Sequence, residues 1–180
     1  SWSPDCKWIS FTDKTLTSTM YQIFLYNMSS KSITAATDIW YNSYRPYFST
    51  DGKYLFFTSD RDFNPTYSQT EWNHSYSDMT RIYLLTLQKS TPNPLGPTND
   101  EVDMTATDKK GDEKTSVPDV KIELDGIQQR IAVFPTKSGN YWNLNQIGDK
   151  LYYQFLSKEE PDNSLKSFSL KDKKETSIGQ

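Results

Sequence analysis

The sequence predicts an all-β fold, and three observations lead to this prediction. Aromatic residues make up 14% of the 180 residues although all hydrophobic residues together make up only 34%, and aromatic side chains favour pleated, half-buried strands. Short aromatic and β-branched runs follow turn residues, as in β-hairpins. Finally, residues 2–12 and residues 48–58 have nearly the same pattern of turn and strand residues. Together these features favour hairpins over helices.

The repeat also predicts how the hairpins are arranged. Ser-Pro-Asp at residues 3–5 precedes one strand-like run, and Ser-Thr-Asp-Gly at residues 49–52 precedes its copy 46 residues later. Self-similarity with a period of about 40 to 50 residues indicates stacked supersecondary units, and a repeated hairpin is typical of propeller blades. We therefore expect a partial β-propeller of about three blade-like antiparallel sheets, a fragment of a larger propeller.

The first unit continues into an alternating strand at residues 21–27 and an outer edge strand near residues 31–36. In the second unit, the counterpart of the alternating strand is residues 81–87. This counterpart lies 59 residues away instead of 46, so the second unit contains 13 extra residues, within residues 59–80. Insertions between blade strands project from the scaffold, where functional residues are frequent.

Two runs in the second unit, residues 54–57 and residues 82–85, are apolar at consecutive positions. A strand that alternates has one buried face, whereas a continuous apolar run is consistent with a strand buried on both faces. We therefore expect this sheet to lie between two others.

The chain changes character between Pro92 and Pro118, where acidic and basic residues replace aromatic ones. Such a stretch buries too little apolar area to offset its ordering entropy. Structure resumes with residues 120–124, which alternate as in a strand, and with residues 129–135, followed by a third hairpin that pairs residues 147–155 with residues 164–170. The predicted division is therefore two blades in residues 1–91 with a loop inserted at 59–80, a flexible charged linker or long loop at 92–118, and a further blade or blades in 119–180.

Composition excludes several classes of function. The net charge of −3 argues against a nucleic-acid partner, which would require a clustered basic face. No apolar run is long enough to span a bilayer, and the single Cys6 cannot form an intrachain disulfide. The acidic residues between 100 and 113 do not have the spacing of a calcium loop, so we expect no metal and no cofactor. Both a cytoplasmic and a periplasmic location remain open.

The repeated hairpins resemble the propeller repeats of TolB and of tricorn-type serine peptidases. A more specific resemblance to bacterial tricorn homologs comes from Ser-Asp-Arg-Asp-Phe-Asn-Pro at residues 59–65 and Glu-Trp-Asn-His at residues 71–74. Residues 79–83, 120–131 and 139–141 continue the same ordered series. One departure is Cys6, which stands where the copy has Gly52. If that position needs a positive φ, the cysteine costs about 1 to 2 kcal/mol.

The resemblance implies a large, oligomeric serine peptidase in which propellers guide oligopeptide substrates or assemble the domains. The partners of this segment would then be further blades and catalytic domains, and peptides would be its ligands. No catalytic residue of that family maps onto this chain, so we expect the segment itself to be non-catalytic. Two alternatives remain: a TolB-like interaction propeller without peptidase activity, and the propeller of an α/β-hydrolase-type peptidase.

Four residues are candidates for substrate or partner contact: Asp60, Arg61, Trp72 and His74. Asp60 and Arg61 follow a predicted strand, where the guanidinium could bind a peptide carboxylate; a salt bridge or an Asp-capped turn is the favoured alternative. Trp72 and the single histidine, His74, belong to an aromatic insertion. Its aromatic residues would either anchor a ligand or close one mouth of the propeller.

Overall fold

The computed structural model describes residues 1–62, 65–67, 74–96 and 117–179. The described strands, in chain order, are β1 (Trp8–Asp13), β2 (Gln22–Asn27), β3 (Ile33–Ala35), β4 (Ser43–Phe48), β5 (Tyr54–Ser59), β6 (Pro65–Tyr67), β7 (His74–Tyr76), β8 (Arg81–Thr86), β9 (Ile131–Val133), β10 (Asn140–Ile147), β11 (Lys150–Leu156), β12 (Ser164–Ser169) and β13 (Lys174–Gly179). A 3-10 helix spans Ile127–Arg130.

Three antiparallel sheets form the body of the molecule, which confirms the predicted all-β fold. The first sheet has the order β1-β2-β3, the second β4-β5-β8-β9 and the third β10-β11-β12-β13. The extra residues of the second unit form a separate hairpin, β6-β7, between β5 and β8. No helix within the described ranges is long and apolar enough to cross a membrane.

The second sheet lies between the other two, as its continuous apolar runs predict. All six residues of β5 are buried, and so are five of the six residues of β8. On one face, Leu55 and Phe57 pack with residues of the first sheet. On the other face, Tyr54 and Phe56 pack with residues of the third sheet. The apolar positions therefore alternate between two cores instead of between core and solvent.

The second sheet takes its edge strand from the far side of the predicted linker. β9 pairs with β8, with Tyr83 opposite Val133. Residues 92–118 therefore connect two neighbouring strands of one sheet, since β8 precedes them in the chain and β9 follows them. Residues 97–116 lie outside the described ranges, and the division into domains stays a prediction.

The alternating residues 120–124 do not form a strand. They are extended chain in which Val120 is buried and Ile122 and Leu124 pack against the first core. The Glu123 N–H donates to the Leu87 carbonyl at 2.9 Å. The Arg130 guanidinium links this segment to the second sheet, because it donates to four backbone carbonyls, two at residues 86 and 87 and two at residues 123 and 125.

Candidate functional site

The candidate contact residues lie at the rim of the sheets where β5 ends and β8 begins. At this rim, the Asp60 N–H donates to the Asn42 carbonyl at 3.0 Å, and the Asp62 N–H donates to the Met79 carbonyl at 3.1 Å. These two bonds hold residues 60–62 against the chain before β4 and the chain before β8. The inserted hairpin begins just after them.

Asp60 and Arg61 are neighbours in sequence but do not pair with each other among the described contacts. One oxygen of the Asp60 carboxylate accepts a hydrogen bond from the Thr80 hydroxyl at 2.5 Å. This bond ties the end of β5 to the start of β8. The arrangement supports the structural interpretation of Asp60, in which its carboxylate satisfies a nearby polar group.

Arg61 is enclosed by aromatic rings and by a carboxylate. Its guanidinium lies 5.3 Å from the ring centroids of both Tyr41 and Tyr83, within the range of cation–π attraction. Its Nε donates to the Ser59 hydroxyl at 3.2 Å, and its Nη2 lies 3.6 Å from the Asp38 carboxylate. Because the side chain is only 18% exposed, these contacts favour a structural role, and substrate contact by Arg61 stays a prediction.

The surroundings of Arg61 also affect Tyr83. Burial raises the pKa of the Tyr83 phenol, and the Asp62 carboxylate raises it further, while the Arg61 and Arg81 charges oppose the shift. The phenol is therefore neutral at physiological pH. The ring serves as an uncharged wall for the guanidinium of Arg61.

A solvent-open pocket of about 270 Å³ lies beside Asp60 and Arg61, between the first and second sheets. Its walls combine large apolar side chains with the charged residues just described. The lining residues are Met20, Trp40, Tyr41, Asn42, Asp60, Arg61, Asp62 and Met79. The sequence interpretation missed Trp40 and Tyr41, although two adjacent aromatic residues in a polar connection between predicted strands were a visible signal.

A second pocket, of about 280 Å³, occupies the equivalent position between the second and third sheets. Charged residues dominate its lining, which consists of Asp78, Arg81, Lys137, Ser138, Ser157 and Glu159. The Asp62–Arg81 ion pair joins the two pockets. The Lys166 ammonium, with help from Lys137, holds the pKa of the nearby Glu160 below its usual value.

The other two candidates cannot be placed at this rim. Trp72 lies outside the described residues. The backbone of His74 belongs to β7, where it pairs with Tyr67, and its side chain also lies outside what the structure describes. Within the described ranges, no group of three or more His, Cys, Asp or Glu side chains is arranged to hold a metal ion. The rim thus combines paired charges with exposed aromatic rings, and substrate or partner contact by its residues stays a prediction.

Three comparisons relate the chain to known proteins. A sequence model of the family described as "Tricorn protease second beta propeller domain" matches residues 1–180. "Tricorn protease homolog 1" of Streptomyces coelicolor is 30% identical over 148 residues, which cover 82% of this chain and 14% of that protein. The "Putative Tricorn-like protease C-terminal subunit" of Sulfurisphaera tokodaii is 31% identical over 140 residues, 78% of this chain and 14% of that protein.

The crystal structure of the tricorn protease has the same fold over 99% of this chain and 18% of its own, with a TM-score of 0.73 at 19% identity. The chain thus spans about 14% of the length of the curated relatives it matches. The family match covers every residue, and the likeness of fold covers nearly all of them. The chain therefore belongs to the family of the tricorn protease second β-propeller domain.

Proposed function

We propose that this chain is a non-catalytic propeller segment of a tricorn-like serine peptidase, which assembles the enzyme and guides oligopeptides toward catalytic residues located elsewhere. Family membership supports the propeller part of the proposal. The names of the relatives, which are protease homologs, support the peptidase part. Because the chain spans a small fraction of those relatives, we assign the hydrolysis itself to other parts of the enzyme.

The observation that carries the proposal is the apolar outer face of the first sheet. Phe11 pairs with Phe24, and Ile9 pairs with Tyr26, on the face that points away from the second sheet. The rings of Phe11 and Phe24 stack with centroids 5.7 Å apart. All four side chains are only half-buried.

The internal repeat indicates what such a face is for. The equivalent residues in the second sheet are Leu55, Phe57, Tyr83 and Leu85, and they are almost completely buried in a core shared with the first sheet and with residues 120–127. Covering one large aromatic side chain stabilises a protein by roughly 2 to 3 kcal/mol. We therefore propose further propeller blades as the partner of the outer face of the first sheet.

A test requires the complete gene product, with fluorogenic oligopeptides of several lengths as substrates. We expect it to hydrolyse them and to form an assembly whose size is seen in size-exclusion chromatography with light scattering. Phe24→Asp, which puts a charge on the outer face, should disrupt the assembly and lower the turnover of the longer peptides. Met28→Asp is the control, because Met28 is exposed in the turn after β2 of the same sheet.

The outcomes separate the parts of the proposal. If the complete gene product hydrolyses no oligopeptide, the peptidase part is wrong and a TolB-like interaction propeller replaces it. If Phe24→Asp behaves as Met28→Asp does, the outer face of the first sheet has no partner and the assembly part is wrong.

A further inference from the structure

Large apolar side chains are exposed at the rim where β5 ends. Trp40 is 76% exposed, Ile39 53% and Tyr41 43%, in consecutive positions of the connection between β3 and β4. Single exposed apolar residues are ordinary, whereas a contiguous group of them indicates a binding surface. The opposite rim differs, because the turns before β1 and β5 consist mainly of Ser, Asp and Lys. Apolar residues exposed there, such as Met28 and Ile147, stand singly, so among the described residues the run of consecutive exposed apolar side chains belongs to one rim.

The pocket beside Trp40, here called the Trp40 pocket, has the size of a single side-chain site. Its volume of about 270 Å³ lies below the roughly 300–1,000 Å³ of pockets for drug-sized ligands. Trp40 and Tyr41 supply rigid aromatic surface, and Met20 and Met79 supply flexible thioethers that adapt to different shapes. Such a lining fits one large apolar side chain of a ligand.

The charge of the pocket indicates which charge the ligand carries next to that apolar side chain. The Asp38 carboxylate pairs with Arg61, and the Asp62 carboxylate pairs with Arg81. Among the described residues, the Asp60 carboxylate has no ion-pair partner. Within the same part of the chain, it accepts one hydrogen bond, from the Thr80 hydroxyl. Among the described residues that line the pocket, Asp60, Arg61 and Asp62 carry a net charge of −1, which a single positive charge on the ligand would balance.

We propose that the Trp40 pocket binds an extended peptide segment that places one large apolar side chain against Trp40 and Tyr41 and a neighbouring Lys or Arg toward Asp60. The ion pairs and the enclosure of Arg61 already hold the charged side chains of the pocket in place before binding. Binding therefore costs the protein little conformational entropy. This inference rests on the proposed function, since it assigns a sequence preference to the peptides that the enzyme receives.

The experiment measures binding of dye-labelled peptides to the complete gene product by fluorescence anisotropy. The first probe is the hexapeptide Gly-Ser-Lys-Phe-Gly-Ser. The matched probes replace its Lys by Gln or its Phe by Ala. Trp40→Ala and Asp60→Asn are compared with Met28→Ala and Asp125→Asn, an exposed apolar residue and an exposed acidic residue that lie away from the pocket. Thermal unfolding of each variant verifies that it is folded.

We expect Trp40→Ala to raise the Kd of the Lys-Phe probe at least 10-fold, as for the aromatic anchor of an interface. Asp60→Asn should raise it about three- to five-fold, as for one exposed ion pair, and leave the Kd of the Gln-Phe probe unchanged. The Lys-Ala probe should bind as weakly to the unaltered protein as the Lys-Phe probe binds to Trp40→Ala. Both control variants should bind every probe normally.

Normal binding of the Lys-Phe probe by folded Trp40→Ala would overturn the proposal, and so would an equal effect of Asp60→Asn on the Lys and Gln probes. Hydrolysis of unrelated fluorogenic peptides is measured on the same preparations. If hydrolysis persists while Trp40→Ala leaves binding unchanged, the Trp40 pocket is refuted and the proposed function stands. If no peptide is hydrolysed, the proposed function fails, and the binding data still decide the pocket.

Discussion

The turn before β1 and the turn before β5 share two side-chain hydrogen bonds and differ in sequence at two positions, Pro4 against Thr50 and Cys6 against Gly52. In both, the hydroxyl of the first serine, Ser3 or Ser49, donates to the Asp carboxylate two residues later at 2.6 Å. The same hydroxyl accepts the N–H five residues later at 2.9 Å. Both turns also contain a residue with positive φ, which is Cys6 with φ 57° in one and Gly52 with φ 68° in the other.

The two positions differ in what packs against them. A Cβ on Gly52 would lie 2.7 Å from a methyl carbon of Val120, closer than atoms approach without a shift. Cys6 is exposed. Val120 nevertheless contacts the first turn as well, because its N–H donates to the Asp5 carboxylate at 2.9 Å.

The Ser-x-Asp hydrogen bonds therefore suffice to form this turn even when a residue other than glycine adopts the positive φ. Glycine is required at the equivalent position of the second turn because another segment packs directly on it. The difference between the copies is thus set by residues 117–124, far away in sequence.

The largest effect is expected for Gly52→Ala. The new methyl group combines an unfavourable positive φ with the overlap with Val120, and we expect a loss of about 2 to 4 kcal/mol in the free energy of unfolding. Urea unfolding measures it. Cys6→Ala is the matched control, since the first turn already has a side chain there, and a similar loss in that variant would contradict the role of Val120.

Removal of the turn serines should cost somewhat less. Ser49→Ala leaves a buried N–H without its acceptor, for which we expect a loss of about 1 to 3 kcal/mol. Ser3→Ala should cost nearly as much, because both serines are at most 2% exposed and share these bonds, while Ser49 also accepts the Lys53 N–H at 3.1 Å. Unequal losses in urea unfolding would show that the two turns are not energetically equivalent.

A gain is expected for Cys6→Gly. Glycine adopts positive φ without steric cost, and nothing packs on this turn as Val120 packs on the other. The free energy of unfolding should rise by about 1 kcal/mol, reduced by the greater freedom of glycine in the unfolded chain. A destabilised Cys6→Gly variant would mean that the cysteine side chain contributes contacts of its own.

The smallest expected effect is on the pH dependence of stability and involves Asp5 of the first turn. Burial raises the pKa of Asp5, but hydrogen bonds from the Ser3 hydroxyl and from the Val120 and Lys7 amides, with the Lys7 charge, lower it more, so the folded pKa lies below the ordinary value. The ionised Asp5 carboxylate therefore contributes its whole stabilisation of the fold above the unfolded-state pKa of about 3.9. This stabilisation is lost as the pH falls through the lower pKa of the folded state. Stability measured between pH 2 and 5 should depend less on pH in Asp5→Asn, and an unchanged pH profile would contradict this assignment.

The strands were predictable because their signals are local. The repeated turns, the alternation in residues 21–27 and the continuous apolar run in β5 each follow from the geometry of a strand and its two faces. Residues 120–124 show the limit of this reasoning. Their alternation reflects one buried side of an extended chain, and none of the strands described pairs with them.

The candidate site was predicted less well than the fold. Asp60 and Arg61 were identified by their place after a strand, but their partners, Thr80 and Asp38, lie about 20 residues away in either direction. Trp40 was overlooked because an aromatic residue in this sequence predicts burial, and only the packing of two sheets reveals that its ring remains in solvent.

Local patterns in the sequence are enough to specify antiparallel sheets in repeated units, with one sheet buried on both faces, because hydrogen-bonded turns and side-chain alternation are short-range properties. Tertiary structure decided which residues approach across the sheets. It placed Val120 against Gly52 and left Cys6 exposed, enclosed Arg61 between two tyrosines and opened a pocket beside Trp40. Contacts of this kind depend on how separate sheets pack together, which no local pattern encodes.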